Sequence, residues 1–304
     1  MLTSFAALAP VFLLIALGAL LRVRDFPGAA FWPAAERLVY WLLFPALLLM
    51  TTAGADVAAF RSGPLTLALI GAVLVTVGLT LSLRPWLGLD GPAFSSVLQG
   101  GIRSNAYVGL AAGAALYGDA GLMVMGIVVL VVVTTVNLVS VAALLRFGRQ
   151  RADGLHALLG QFARNPLILA CLGGFALNAT GLGPGEVIGA TLEIMGRASL
   201  PLGLLCAGAA LEIGRLRALR GAIVVASTLK LLIMPAVTAL FCKLLGVQGV
   251  TAAAAILYTA VPVSASSYVL ARQLGGDAPL MAGLITVTTI AGVVTIPLVL
   301  ALLT

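Results

Sequence analysis

Residues Gly100 to Gly113 read GGIRSNAYVGLAAG, and residues Tyr258 to Tyr268 read YTAVPVSASSY. Each stretch lies inside an apolar window long enough to cross a hydrocarbon core, and each carries residues that disfavour an unbroken helix. In the first, Gly100, Gly101 and Gly109 flank the polar residues Arg103, Ser104 and Asn105. In the second, Pro262 lacks an amide hydrogen and its ring clashes with the preceding turn, which frees backbone carbonyls. At ~1.5 Å rise per residue, Arg103 and Pro262 lie roughly 15 and 18 Å into their spans, near the middle of a ~30 Å core. Paired interruptions at that depth are the best sequence pointer to the binding site of a secondary transporter.

The rest of the chain agrees with a membrane setting. Of 304 residues, 62% are apolar and only 9% are charged, against roughly 25% charged in soluble proteins. Counting Pro-, Gly- and charge-marked interruptions gives ten windows near the ~20 residues that cross a bilayer. They fall at about 4–21, 31–52, 65–83, 93–116 and 120–145, then 165–181, 187–211, 221–245, 250–271 and 278–303. The expected fold is therefore an all-α polytopic membrane protein with ten transmembrane helices, of which helices 4 and 9 are broken. No room is left for a soluble catalytic domain of ~100 residues. The run from Ser4 to Leu21 lacks a basic start and a cleavage-like site, so it reads as the first membrane helix rather than a signal peptide.

Cysteine and histidine usage removes several enzyme classes. Cys171, Cys206 and Cys242 lie in apolar windows without a second cysteine at ligand spacing, and His156, the only histidine, sits among arginines. This supports no disulfide framework, metal site or cofactor, and a serine hydrolase would lack its histidine base.

Orientation follows from the basic residues, because cytoplasmic loops retain Lys and Arg. With the N-terminus outside, twelve fall inside: Arg22, Arg24, Arg37, Arg84, Arg146, Arg149, Arg151, Arg164, Arg215, Arg217, Arg220 and Arg272. Outside loops hold only Arg61 and Lys243, while Arg103, Arg197 and Lys230 fall within spans. Both termini are expected outside the inner (plasma) membrane. The net charge of +7 is explained by this asymmetry and by anionic lipid, without a nucleic-acid partner.

The two halves resemble each other at matched positions. Pro10 begins PVFLLIALGALL and Pro166 begins PLILACLGGFAL, each with a glycine eight residues on, at Gly18 and Gly174. From Pro10 to Pro45 is 35 residues, and from Pro166 to Pro201 is also 35. Farther on, RSNAYVGLAAGAALYGDAGLM resembles SASSYVLARQLGGDAPLM, which pairs Tyr107 with Tyr268. Agreement of order and spacing across four helices points to a repeat. Five spans per half is an odd number, so the second copy sits upside down. The organisation expected is a first five-helix repeat at 1–146, a cytoplasmic linker at 147–164 and an inverted repeat at 165–304, the architecture of secondary transporters.

Four ionisable residues lie at membrane depth, where a charge needs a partner or a wet cavity. Glu193 and Arg197 are four apart on one helix face. They form either a self-neutralising pair that holds the bundle, or a site where Glu193 exchanges a proton and Arg197 attracts an anion. Lys230 lies ~15 Å deep, past the reach of a snorkelling stem, and either binds a substrate carboxylate or pairs with Glu193. Asp119 and Asp277 follow the broken helices in GD pairs and are expected to cap the next helix. Asn137, with Thr134 and Thr135, fits inter-helix hydrogen bonding or a cavity wall.

The segments GGIRSNAYVGLAAGAALYGD and TAVPVSASSYVLARQLGGD, with ten spans and a short central loop, resemble the auxin efflux carrier family in its short bacterial form. That resemblance implies two inverted five-helix repeats whose fourth and ninth helices cross at the substrate site. It implies small organic anions as substrates, auxin-like or malate- or malonate-like carboxylates. It also suggests an elevator-like motion, with helices one, two, six and seven as the scaffold. Helix four has no proline at its interruption, so glycine is expected to supply that break. Around the crossing, Arg103, Ser104, Asn105, Tyr107, Pro262, Ser264, Ser266 and Ser267 are the candidate substrate-binding residues, with Glu193, Arg197 and Lys230 as coupling or charge-pair residues. The alternative is a sodium-coupled organic-anion symporter of the bile-acid type, in which the serines and freed carbonyls coordinate the ion, or an ion channel. Proton coupling, sodium coupling and a homodimer all stay open from sequence.

Overall fold

Thirteen α-helices, and no strand, build the described residues 2–54, 62–148, 165–181, 183–211 and 220–304 of a computed structural model. The first half contains α1 (Leu2–Val23), α2 (Phe31–Leu38), α3 (Phe44–Ala53), α4 (Ser62–Leu87), α5 (Gly91–Ile102) and α6 (Ala106–Phe147). The second contains α7 (Pro166–Thr180), α8 (Glu186–Ala209), α9 (Arg220–Thr228), α10 (Met234–Leu244), α11 (Gly249–Ala260), α12 (Ser266–Leu274) and α13 (Ala278–Leu303). The central linker beyond Gly148, with His156, Arg149, Arg151 and Arg164, lies outside the described residues, as do Arg61, Arg215 and Arg217.

Among the described residues, seven helical runs are long and apolar enough to cross a membrane by length and composition. Their outward faces are apolar as well: Leu13, Trp86 and Val187 are 67%, 78% and 79% exposed. A surface of this kind suits lipid rather than water.

Proline shapes two of these runs in the same way. Pro45 has no amide, and in a regular helix its ring would strike the carbonyl four residues back. The backbone just before it widens into a π turn at Val39–Leu43, where the Phe44 amide donates to the Val39 carbonyl. Pro235 has the same effect: Leu229–Ile233 is a π turn, and the Met234 amide donates to the Leu229 carbonyl. Single π turns of this type recur at functional sites. Here the second one carries Lys230.

The longest apolar run, Gly91–Phe147, has 57 residues, and a straight helix of that length would reach ~85 Å. Two features divide it. The helix stops at Ile102 and restarts at Ala106, and Gly118 (φ 59°, ψ −147°) departs from helical geometry within α6. A Cβ placed on Gly113 would stand 2.8 Å from Met125 Cγ, although twelve residues of straight helix span ~18 Å. The chain therefore doubles back at Gly118. Asp119, expected to cap the next helix, is exposed and makes no capping bond among the described residues. Asp277 does cap, its Oδ1 accepting from the Leu280 amide at 2.9 Å.

Helix packing sorts the elements into two groups. In one, α1 packs on α8, α3 on α7 and α8, and α2 on α8. In the other, α4, α5, α6, α9, α10, α11 and α13 pack on one another, and α12 packs on α13. The hairpin of α6 also touches α1, α3, α7 and α8, and so lies between the groups.

Glycine brings the first group to backbone contact. A Cβ on Gly18 would overlap the Leu205 carbonyl oxygen, and one on Gly208 would overlap the Ile15 carbonyl oxygen. Helices in lipid associate through such close approaches, because the tails offer no hydrophobic drive between them. Gly208→Ala should therefore push α1 from α8 and lower stability by about 1 to 3 kcal/mol, the usual cost of overpacking. A thermal melt in detergent checks this, and an unchanged midpoint would show that the seam yields freely.

Candidate functional site

The local cause of the first interruption is Asn105. Its Oδ1 accepts from the amides of Tyr107 and Val108, at 3.1 and 3.4 Å, which caps the start of α6. Capping requires a non-helical backbone at that residue, and Arg103 (ψ 132°) and Asn105 (ψ 104°) are both extended. Glycine does not supply the break, contrary to the expectation from sequence. Gly100 and Gly101 lie within α5; a Cβ on Gly100 would stand 2.7 Å from Leu284 Cδ1, so Gly100 serves close packing, while one on Gly101 would meet Leu229 Cβ at an ordinary 3.6 Å. At the second interruption Val261 is extended (ψ 157°), as a residue before proline prefers.

The two interruptions touch. The Asn105 amide donates to the Pro262 carbonyl at 2.8 Å. Nearby, the Tyr258 ring in the last turn of α11 lies against Gly109 of α6, where a Cβ would be 2.6 Å from the ring. Thr288 of α13 accepts from the Val263 amide at 3.1 Å, which ties the second interruption to the following helix.

Arg103 reaches across this contact. Its two terminal nitrogens donate to Asn137 Oδ1 at 2.8 Å and Ser266 Oγ at 3.1 Å. Both partners are neutral, the residue is 8% exposed, and its Nε is buried without a partner. Ser266 Oγ also bonds Ser264 Oγ at 2.9 Å, and α12 begins at Ser266 without a side-chain cap. A guanidinium with an unused N–H beside an uncapped helix start suits an anionic oxygen. Gln99, one turn before Arg103, and Ser267 and Tyr258 add buried polar atoms without partners. Each such group costs about 1 to 3 kcal/mol until something bonds it.

Lys230 is fully buried and also meets the first interruption, at Ser104. Its ammonium donates to Ser104 Oγ at 2.8 Å and to the Thr259 carbonyl at 2.5 Å, with Met234 Sδ at 3.8 Å. The expected alternative of a pair with Glu193 is not what forms. Glu193 and Arg197 are on the outer face of α8, 56% and 75% exposed, and bond each other at 2.6 Å. They are one helix turn apart and close on themselves. Tyr107, expected at the site, turns its ring edge-on to Phe44 at 4.7 Å and against Gly203, where α6 meets α3 and α8.

A cleft of about 310 Å³ between the two packing groups borders the second interruption at Ala265. Arg22, Trp32 and Glu36 line it on one side and Ala265, Tyr268 and Ile285 on the other. Ala265 is next to Ser266, the acceptor for Arg103. A larger cavity of about 450 Å³, lined by Ala7, Tyr117, Leu300 and Thr304 among others, holds no charged side chain and no residue of either interruption.

Residues 154–300 match the sequence profile of a family described as Membrane transport protein. The match covers just under half of the chain, which over that stretch is similar to this family. The apolar helices indicate a multi-pass membrane protein, and the matched segment is similar to a family of membrane transporters. A search among curated proteins gives no match. The matched residues include the second interruption, Lys230 and the Glu193–Arg197 pair, so the family's segment supplies one side of the candidate site and the first half supplies Arg103 to Asn105.

Sequence reading passed over Thr259, Thr288, Tyr258 and Gln99 as site residues. The available signals were weak: Thr288 is one of four threonines in the apolar helix α13, and Gln99 is the polar residue before GGIRSN. The exposed position of Glu193 carries an expectation for function as well. Glu193→Gln should leave uptake by the folded protein within about twofold of the parent, since exposed i,i+4 pairs contribute little. Loss of gradient-driven accumulation with exchange intact would instead assign Glu193 a coupling role.

Proposed function

We propose that the protein is a secondary transporter of small organic anions, auxin-like or malate- or malonate-like carboxylates, that works by alternating access. The observation that carries this reading is Arg103, a buried guanidinium with neutral partners and an Nε–H that bonds nothing among the described residues. Positive charge and half-helix starts near the membrane midplane are the features that hold carboxylates in carriers with interrupted helices. The family match supports transport as the activity class. Binding of mono- and dicarboxylates to the purified protein tests the substrate class, since a ligand at 100 times its dissociation constant stabilises by ~2.7 kcal/mol. A midpoint indifferent to every carboxylate would reject it.

The same reading proposes ten spans in two inverted repeats. The hairpin of α6 turns Gly91–Phe147 into two spans, while α7 alone and α11 with α12 supply two more beyond the long apolar runs. The groups α1–α3 with α7 and α8, and α4–α6 with α9–α13, support an elevator in which the first is the scaffold. The distribution of basic residues supports a topology with both termini outside an inner membrane. Reporter fusions at Thr304 and within the central loop should then report opposite sides, and a shared side would discard the inverted repeat.

A further inference from the structure

We propose that the Lys230 ammonium is a built-in cation that takes the place of a coupling sodium ion at the contact between the two interrupted helices, so that this carrier works without sodium. The proposal rests on the reading of the chain as a carrier with a moving crossing point. It starts from where the lysine is held. Pro235 forces the π turn at Leu229–Ile233, and Lys230 in that turn is fully buried.

Its oxygen partners come one from each interruption. Ser104 Oγ belongs to the extended stretch between α5 and α6, and the Thr259 carbonyl belongs to the last turn of α11. Neither is a carboxylate. The carbonyls of a final turn have no partner further along the helix and form the negative end of its dipole, which favours a cation. In carriers with interrupted helices, such C-terminal ends and unwound carbonyls are what coordinate sodium. A hydroxyl and a carbonyl oxygen form the neutral, hard-oxygen surroundings an alkali cation takes. Here a covalently attached ammonium already sits on both.

The consequence is mechanistic. A diffusible ion at this position would load and leave with each cycle and so couple transport to its gradient. Lys230 cannot leave. It fixes Ser104 to the end of α11 permanently, which keeps the first interruption formed in both halves of a cycle. It also supplies positive charge at the first interruption in addition to that of Arg103.

The test needs no organic anion, so its result stands apart from the identity of the substrate. Thermal melts of the purified full chain are recorded as sodium chloride replaces choline chloride at constant ionic strength. The parent should show no sodium-specific shift. Lys230→Asn removes the ammonium and leaves the Ser104 and Thr259 oxygens with an added amide oxygen, so its midpoint should rise with sodium and saturate. Lys230→Gln, closer in length to lysine, takes its place if the asparagine variant is not recovered folded. A saturable sodium shift in the parent overturns the proposal, as does a folded variant that ignores sodium.

Discussion

Arg103→Gln should weaken carboxylate binding by roughly tenfold to over a hundredfold while the protein stays folded. The magnitude is that of one charge-assisted hydrogen bond, about 1.5 to 3 kcal/mol. Folding should survive because glutamine still donates toward Asn137, and because replacing a buried cation with a neutral amide removes a desolvation cost. Calorimetry with a dicarboxylate reads the first quantity and a thermal melt the second. Asn105 separates binding from architecture more finely. Its Oδ1 is occupied by the amides of Tyr107 and Val108, so Asn105→Ala should cost about 1 kcal/mol of stability through the lost cap, in addition to any loss of affinity. Asn105→Asp keeps the cap, because a carboxylate accepts the same bonds, but loses the amide donor and adds negative charge. It should therefore melt like the parent and lose carboxylate binding. If Arg103→Gln and Asn105→Asp both bind as well as the parent, the anion site is not at the crossing.

The difference between these two residues shows what sequence could and could not deliver. The interruptions were legible because their causes are local. Pro262 lacks an amide and the run Arg103 to Asn105 is polar in an apolar window, although the first break was expected from glycine and comes from the Asn105 cap. Helix ends were legible for the same reason: the window at 278–303 is α13 to the residue. What escaped were features set by the partner across a packing interface. Gly100 and Gly101 looked like helix breakers, yet both lie within α5, and Gly100 makes room for Leu284. Lys230 could have met Glu193 or a substrate, and only the packing of its π turn against the first interruption decides that it meets Ser104 and Thr259. The π turn itself follows from Pro235 only once the helix is known to continue through it. Glu193 and Arg197 were correctly paired by spacing, but spacing says nothing about which way a helix face points, and theirs points away from the bundle.

Bridging the cleft should stop transport altogether, and this follows from how the two packing groups meet there. Glu36 belongs to one group and Tyr268 to the other, and both line the cleft that reaches Ala265. In a background with Cys171, Cys206 and Cys242 replaced by alanine, a reversible bifunctional thiol reagent would join Glu36→Cys to Tyr268→Cys. Alternating access requires the groups to move against each other, so the bridged protein should take up no carboxylate and recover when the bridge is reduced. The control lies within one group: Asn178 Nδ2 donates to the Ala53 carbonyl at 2.8 Å, and cysteines at those two positions should tolerate bridging with transport intact. A rigid seam explains that difference. Gly18 and Gly208 bring α1 and α8 to backbone contact and Gly174 does the same for α7 and α3, so this group has little room for internal motion. The cleft, by contrast, is where the polar interruption borders the seam between groups. Should the bridge across the cleft leave uptake unchanged, the two groups do not move relative to each other during transport, and access to Arg103 must come from local rearrangement of α12 instead.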